Sequence, residues 1–147
     1  MTIEDMQLEA VAKNAATILQ SKHAQIEFTS GRRSIFQQAH AMARNVVFNR
    51  KWIGQTYLAG AKLQQWVDKH PEAKTVDAIT AGLEQTMKTM PEEELLKISR
   101  HLTGKAFDVR PVKANAAAIK ADILKLPGLH KFLDKEGGLV RWHAQFQ

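Results

Sequence analysis

The segment GLVRWHAQF, Gly138–Phe146, decides the fold class. Val140, Trp142, Ala144 and Phe146 alternate with Leu139, Arg141, His143 and Gln145, the period of two that sends successive side chains to opposite faces of a strand. The first set makes a core face. The second is mostly polar and carries a histidine, as the floor of a site on a sheet would. AFDVR, Ala106–Arg110, repeats the pattern, with Phe107 and Val109 toward the core and Ala106 and Asp108 opposite. QIEFTS, Gln25–Ser30, adds a third extended piece in which Ile26 and Phe28 alternate with Gln25, Glu27 and Thr29.

The remaining sequence has helical spacing. Ile3, Met6, Leu8, Val11, Ala15, Ile18 and Leu19 predict one amphipathic helix over residues 3–22, packed on the core. A second helix is expected over 34–47, capped by Ser34, with Ile35, Ala39, Met42 and Val46 on one stripe. Further helices are expected over 56–69 and 75–88, and another starts at Pro91 with three glutamates at the positive end of its dipole. KANAAAIKADILKL (113–126) reads as a helix and GLHKFLDKE (128–136) as a shorter one. The sum is an α+β fold: a small antiparallel sheet packed by several helices, in a single domain over 1–147 with an N-terminal helix over 1–24.

Composition bounds the chemistry. The chain has 147 residues, 44% hydrophobic and 24% charged, which is ordinary for a globular protein. It contains no cysteine, which excludes a disulfide framework, a thiolate nucleophile and any cysteine-ligated metal or cluster. A metal would rest on His, Asp and Glu. The acidic residues near the start and the helical spacing that follows lack the pattern of a secretory signal, and no run approaches a membrane span, so synthesis in the cytoplasm without membrane insertion is expected. A formal charge of +6 favours an anionic partner: nucleic acid, a membrane surface or a bacterial wall polymer.

Of the six histidines, His23, His40, His70 and His130 lie on or beside expected helices among Lys and Gln and are expected at the surface. His101 and Asp108 differ. They stand in SRHLTGKAFDVR, Ser99–Arg110, separated by a turn containing Gly104, and His143 shares the open-face pattern of Asp108.

These residues carry a resemblance. Ser99, His101, Gly104, Ala106 and Asp108 match the S-x-H-x-x-G-x-A-x-D signature of the D-alanyl-D-alanine carboxypeptidase and phage endolysin family of zinc peptidases, grouped with lysostaphin and sonic hedgehog. FTSGRRS resembles the family's S-G-x-R-S segment through Ser30, Gly31, Arg33 and Ser34, and RWHAQF resembles the strand that supplies the last histidine. The three pieces occur in the family's order over residues 28–146, so that 25–147 would hold the catalytic elements.

The resemblance implies one zinc per chain, held by His101, Asp108 and His143 with a fourth position open, on the sheet. It implies that Arg33 meets substrate, at an oxyanion or a carboxylate, and that Ser99 lines the same pocket; a turn hydroxyl bonded to backbone is the other reading of Ser99. The chain departs from the family at the base. The position three before the last histidine, where many members carry glutamate, is Val140, which the alternation turns toward the core; the position two before it, histidine in others, is Arg141. Glu136 is the nearest carboxylate, with Gly137 and Gly138 able to bend a loop back over the metal, and is the candidate base. Arg141 is a candidate substrate or oxyanion contact.

The implied activity is zinc-dependent hydrolysis of amide bonds in peptidoglycan peptide stems, as an L-Ala-D-Glu endopeptidase or a D-Ala-D-Ala carboxypeptidase. A phage or prophage product acting on the wall after release, as a monomer, is expected. Two alternatives stand beside it: a non-catalytic, zinc-stabilised wall-binding or phage structural protein, and a basic nucleic-acid-binding module suggested by Arg32, Arg33, Arg44, Arg50 and Lys51. The second lacks a stacking-aromatic platform, so no nucleic acid is expected. A serine triad of Ser99, His101 and Asp108 lacks the G-x-S-x-G elbow.

Overall fold

The computed structural model describes residues 1–136 and 138–147. In chain order the helices and strands are α1 (Ala10–Lys22), β1 (Phe28–Ser30), α2 (Ile35–Val46), α3 (Trp52–Thr56), α4 (Ala61–Lys69), α5 (Val76–Lys88), α6 (Glu92–Ile98), β2 (Ala106–Val109), α7 (Ala116–Leu124), β3 (Leu129–Glu136) and β4 (Leu139–Phe146), with 3-10 turns at Glu4–Met6 and Arg100–Thr103. The fold is α+β with a small four-stranded antiparallel sheet, as the alternating segments predict. Its contacts group into two units, Met1–Arg32 with Thr103–Gln147, and Arg33–Leu102.

The first unit carries the sheet, in the order β1-β2-β4-β3. β2 pairs with β4 in the register Ala106↔Gln145, Phe107↔Ala144, Asp108↔His143 and Val109↔Trp142. Directly paired residues share a face. Phe107, Val109, Trp142 and Ala144 therefore turn together into a core that includes Phe28, Phe146, Ala12, Ala15, Ala16 and Leu19 of α1, and Ile119 and Ile123 of α7. An irregularity between Phe28 and Ser30 lets Phe28 pair with Val109 while Ser30 pairs with Asp108 on the opposite face.

Three expectations for this unit are corrected. The helix over 3–22 is interrupted: a 3-10 turn ends at Gln7, whose φ of 50° is left-handed, and α1 begins at Ala10. Tertiary hydrogen bonds compete for that backbone, because Arg32 donates from its amide to the Met6 carbonyl and from Nε to the Gln7 carbonyl, both at 2.8 Å. GLHKFLDKE is the strand β3, not a helix. Register irregularities between Leu129 and Lys131 and between Leu133 and Lys135 break its alternation, leaving Leu129, Phe132 and Leu133 at a spacing that mimics a helix. Val140 does not face the core: it is 62% exposed, because the β3–β4 hairpin projects past the packed part of the sheet, and Leu139 and Arg141 are exposed with it.

The second unit is helical, around Ala39, Met42, Val46, Ile53, Leu63, Val67, Ile79, Leu83 and Met87. Ser34 caps α2 as expected, its hydroxyl accepting from the Gln37 amide while the Gln37 side chain accepts from the Ser34 amide. Thr75 caps α5. The helix expected over 56–69 begins only at Ala61, as α4, and the separate short helix α3 ends at Thr56 before the break at Tyr57–Gly60. Pro91 stands at the N-cap of α6 rather than in its first turn. Arg50 donates to the carbonyls of Val67, His70 and Ala73, so its guanidinium neutralises the carbonyl end of α4.

Gly82 is set by space. A Cβ built there would lie 1.8 Å from Cζ2 of Trp66, whose ring also stacks on His70 at 4.4 Å between centroids. In an open helix Gly→Ala gains about 1 kcal/mol. Gly82→Ala is expected to lose stability instead, by about 1–3 kcal/mol, as overpacking does, in a urea titration followed by tryptophan fluorescence.

Candidate metal centre

SRHLTGKAFDVR folds as a 3-10 turn, a glycine bend and a strand. α6 ends at Ser99, and the Ser99 hydroxyl accepts from the His101 amide at 3.2 Å, fixing the start of the turn Arg100–Thr103. Ser99 thus has the turn role as its observed contact. The His101 carbonyl accepts from the Arg33 amide at 2.8 Å. Gly104 then takes φ +75°, a conformation that disfavours any side chain, and a Cβ there would lie 2.8 Å from the Arg32 guanidinium. Two residues later β2 begins and presents Asp108 on the face away from the core.

The β2–β4 register brings His143 directly opposite Asp108, and their Nδ1 and Oδ1 lie 2.8 Å apart. His101, Asp108 and His143 each offer one ligand atom, and these atoms lie within 4.8 Å of one another. All three residues are buried, at 2%, 7% and 6% exposure. Two imidazoles and a carboxylate gathered away from solvent form a set that can hold a metal ion, with nitrogen and oxygen donors that suit several divalent cations.

The donor chemistry at His143 supports this fit. Nδ1 faces a carboxylate oxygen, which only accepts, and Nε2 faces the Gln145 Oε1 at 3.0 Å. A neutral imidazole carries one proton for these two acceptors. A cation on the Nδ1 side, or a second proton, completes the arrangement. In the absence of metal, burial pushes the His143 imidazolium pKa down, but the hydrogen bond and charge of Asp108, the contact with Gln145 and the charge of Glu136 outweigh it, so the net direction is up.

The other expected site residues lie at the end of β3, on β4 and just before α2. Glu136 closes β3 rather than standing on a loop; it pairs with Leu139, which shares the His143 face of β4, and is half-buried. Gly137, expected to help bend that loop, lies outside the described residues. Arg141 lies on the same strand face as His143 and is exposed. Arg33 is half-buried, and its Nη1 donates to the Gln38 side chain at 3.4 Å.

Among the remaining histidines, only His130 is fully at the surface. His23 Nε2 lies 2.7 Å from Asp122 of α7, and this contact lowers the Asp122 pKa. His70 Nδ1 lies 2.7 Å from the Trp66 carbonyl, and the half-buried His40 stacks near Phe36. The basic cluster expected of a nucleic-acid binder is divided among internal partners: Arg32 meets Glu9, Lys51 meets Asp68, and Arg50 is held by carbonyls. Sequence reading missed Gln145 as a member of the site. Its signal was its place two residues beyond His143, on the same face of the strand.

No protein-family model, curated protein or solved structure matches the chain.

A pH dependence follows from the raised His143 pKa. In chelator-treated protein, the stabilisation from its protonated form is fully present below the unfolded value of about 6.5 and is lost as pH rises through the folded value. The gap in urea midpoint between wild type and His143→Gln is expected to be larger at pH 5.5 than at pH 8.5. Metal affinity has the opposite trend, because the ion displaces that proton: a competing chelator should show it falling by roughly tenfold per pH unit, for each proton displaced, as the solution is acidified.

Proposed function

We propose that the chain is a zinc-dependent peptidase that hydrolyses amide bonds in peptidoglycan peptide stems, of the endolysin or D-Ala-D-Ala carboxypeptidase kind. The observation that carries this reading is the buried convergence of His101, Asp108 and His143, the residues that the signature resemblance marks as ligands. Three protein ligands with nitrogen and oxygen donors match catalytic zinc sites, which leave a further position open. When bound, zinc would supply Lewis acidity, polarising a carbonyl and lowering the pKa of water toward about 7.

The residues of the chain divide the remaining work. Glu136, on the His143 face at the end of β3, is the carboxylate that would take a proton from water and pass it to the departing amine. Its charge already acts on His143, which supports that place for it. Arg141, exposed on the same strand face, and Arg33, tied by its amide to the His101 carbonyl, would hold the negative groups of a peptide stem. Ser99 would serve by fixing the turn that carries His101, with any contact to substrate secondary. An expected formal charge of +6 favours approach to an anionic wall.

A second reading, a metal-stabilised binding or structural protein without turnover, draws on Val140, which is exposed and apolar at the position where many members of the zinc peptidase family it resembles carry glutamate.

Purified protein should contain about one zinc per chain by elemental analysis, and His143→Ala should lose most of it. Digestion of purified peptidoglycan, read by mass spectrometry, should yield new termini that vanish with chelator and return with zinc. Glu136→Gln should keep the metal and lose at least about 100-fold in rate, the usual weight of a general base. Full metal occupancy with no new termini in any wall type would leave the non-catalytic reading standing.

A further inference from the structure

Gln145 lies beside His143 of the candidate ligand set, and the resemblance assigns it no role. It follows His143 by two positions on β4, so both side chains stand on the face away from the core, and its Oε1 lies 3.0 Å from His143 Nε2. The opposite ring nitrogen, Nδ1, is the one turned to Asp108 at 2.8 Å. The imidazole is therefore gripped along its long axis, with Asp108 at one end and Gln145 at the other.

We infer that Gln145 is a positioning residue for the metal centre, holding His143 as the Nε2–H tautomer so that the Nδ1 lone pair is presented to the ion. This rests on the metal reading above, not on the choice of substrate. An amide oxygen accepts the Nε2 proton, and a ligating imidazole characteristically donates its second N–H to such an acceptor, which orients the ring and raises its basicity. The sheet fixes both partners. Gln145 pairs with Ala106 of β2, which is fully buried and carries only a methyl group, and with Lys131 of β3, which can only donate and cannot replace the acceptor.

The choice of a neutral amide also matters. Without Gln145, the single proton of a neutral His143 has the Asp108 carboxylate as its charge-assisted acceptor, and it then occupies the nitrogen the ion needs. A carboxylate in place of Gln145 would retain the orientation and add negative charge near the metal.

The test compares Gln145→Met, similar in size but with no comparable acceptor, with Gln145→Glu, which keeps one. Zinc affinity, measured by competition with a chromophoric chelator, should fall about 10- to 100-fold in Gln145→Met, the usual effect of removing such a partner. In Gln145→Glu it should stay at the wild-type value or rise. In zinc-loaded wild type, long-range proton–nitrogen spectra should show the His143 proton on Nε2, protected from exchange, and this protection should be lost in Gln145→Met. An affinity within twofold of wild type in Gln145→Met, or the proton on Nδ1 in the loaded protein, would overturn the inference. If Gln145→Met does not fold, Gln145→Glu decides alone: binding tenfold weaker than wild type overturns it. Wild type that binds no zinc overturns this inference and the metal reading together, whereas tight zinc without wall cleavage overturns only the peptidase reading.

Discussion

The antiparallel pairing of β2 with β4 is the constraint on which both faces of the sheet depend. Its register places Phe107 opposite Ala144 and Val109 opposite Trp142 on one side, and Asp108 opposite His143 on the other. A slip of one residue would send Phe107 to the polar face and Asp108 into the core, so packing and ligand geometry are selected together. The buried Asp108 and His143 lie 2.8 Å apart as polar partners, while the core face behind them is closed by Phe28, Phe107 and Phe146.

The same arrangement explains what the sequence made legible. β2 and the paired part of β4 alternate, because one face is core and the other carries the candidate metal ligands, so AFDVR and RWHAQF could be read and their open-face residues named. Capping chemistry is local, so Ser34 marked the start of α2 accurately. β3 was not legible: two register irregularities scrambled its alternation, and only its pairing with β4 shows it to be a strand. The interruption near Gln7 was hidden for a similar reason, since it depends on hydrogen bonds from Arg32, far along the chain.

The candidate ligands His101, Asp108 and His143 were named through the family resemblance, but their surroundings were not legible. The exposure of Val140 reflects where the hairpin outruns the core, which periodicity does not reveal. Glu136 reaches the His143 face only because the irregularity between Leu133 and Lys135 shifts β3 by a residue. The contact of Gln145 with His143 involves neighbours on one strand, yet its meaning depends on Asp108 occupying the other ring nitrogen.

The hydrogen bond from the Arg33 amide to the His101 carbonyl joins the two ends of the helical unit Arg33–Leu102, which is inserted in sequence between β1 and β2. In an unfolded chain, bringing β1 to β2 means closing a loop that contains this whole unit, with an entropic cost that rises with length. Once the insert has folded with its ends clasped, the strands are joined as if by a short turn, and the long-range step becomes a local one.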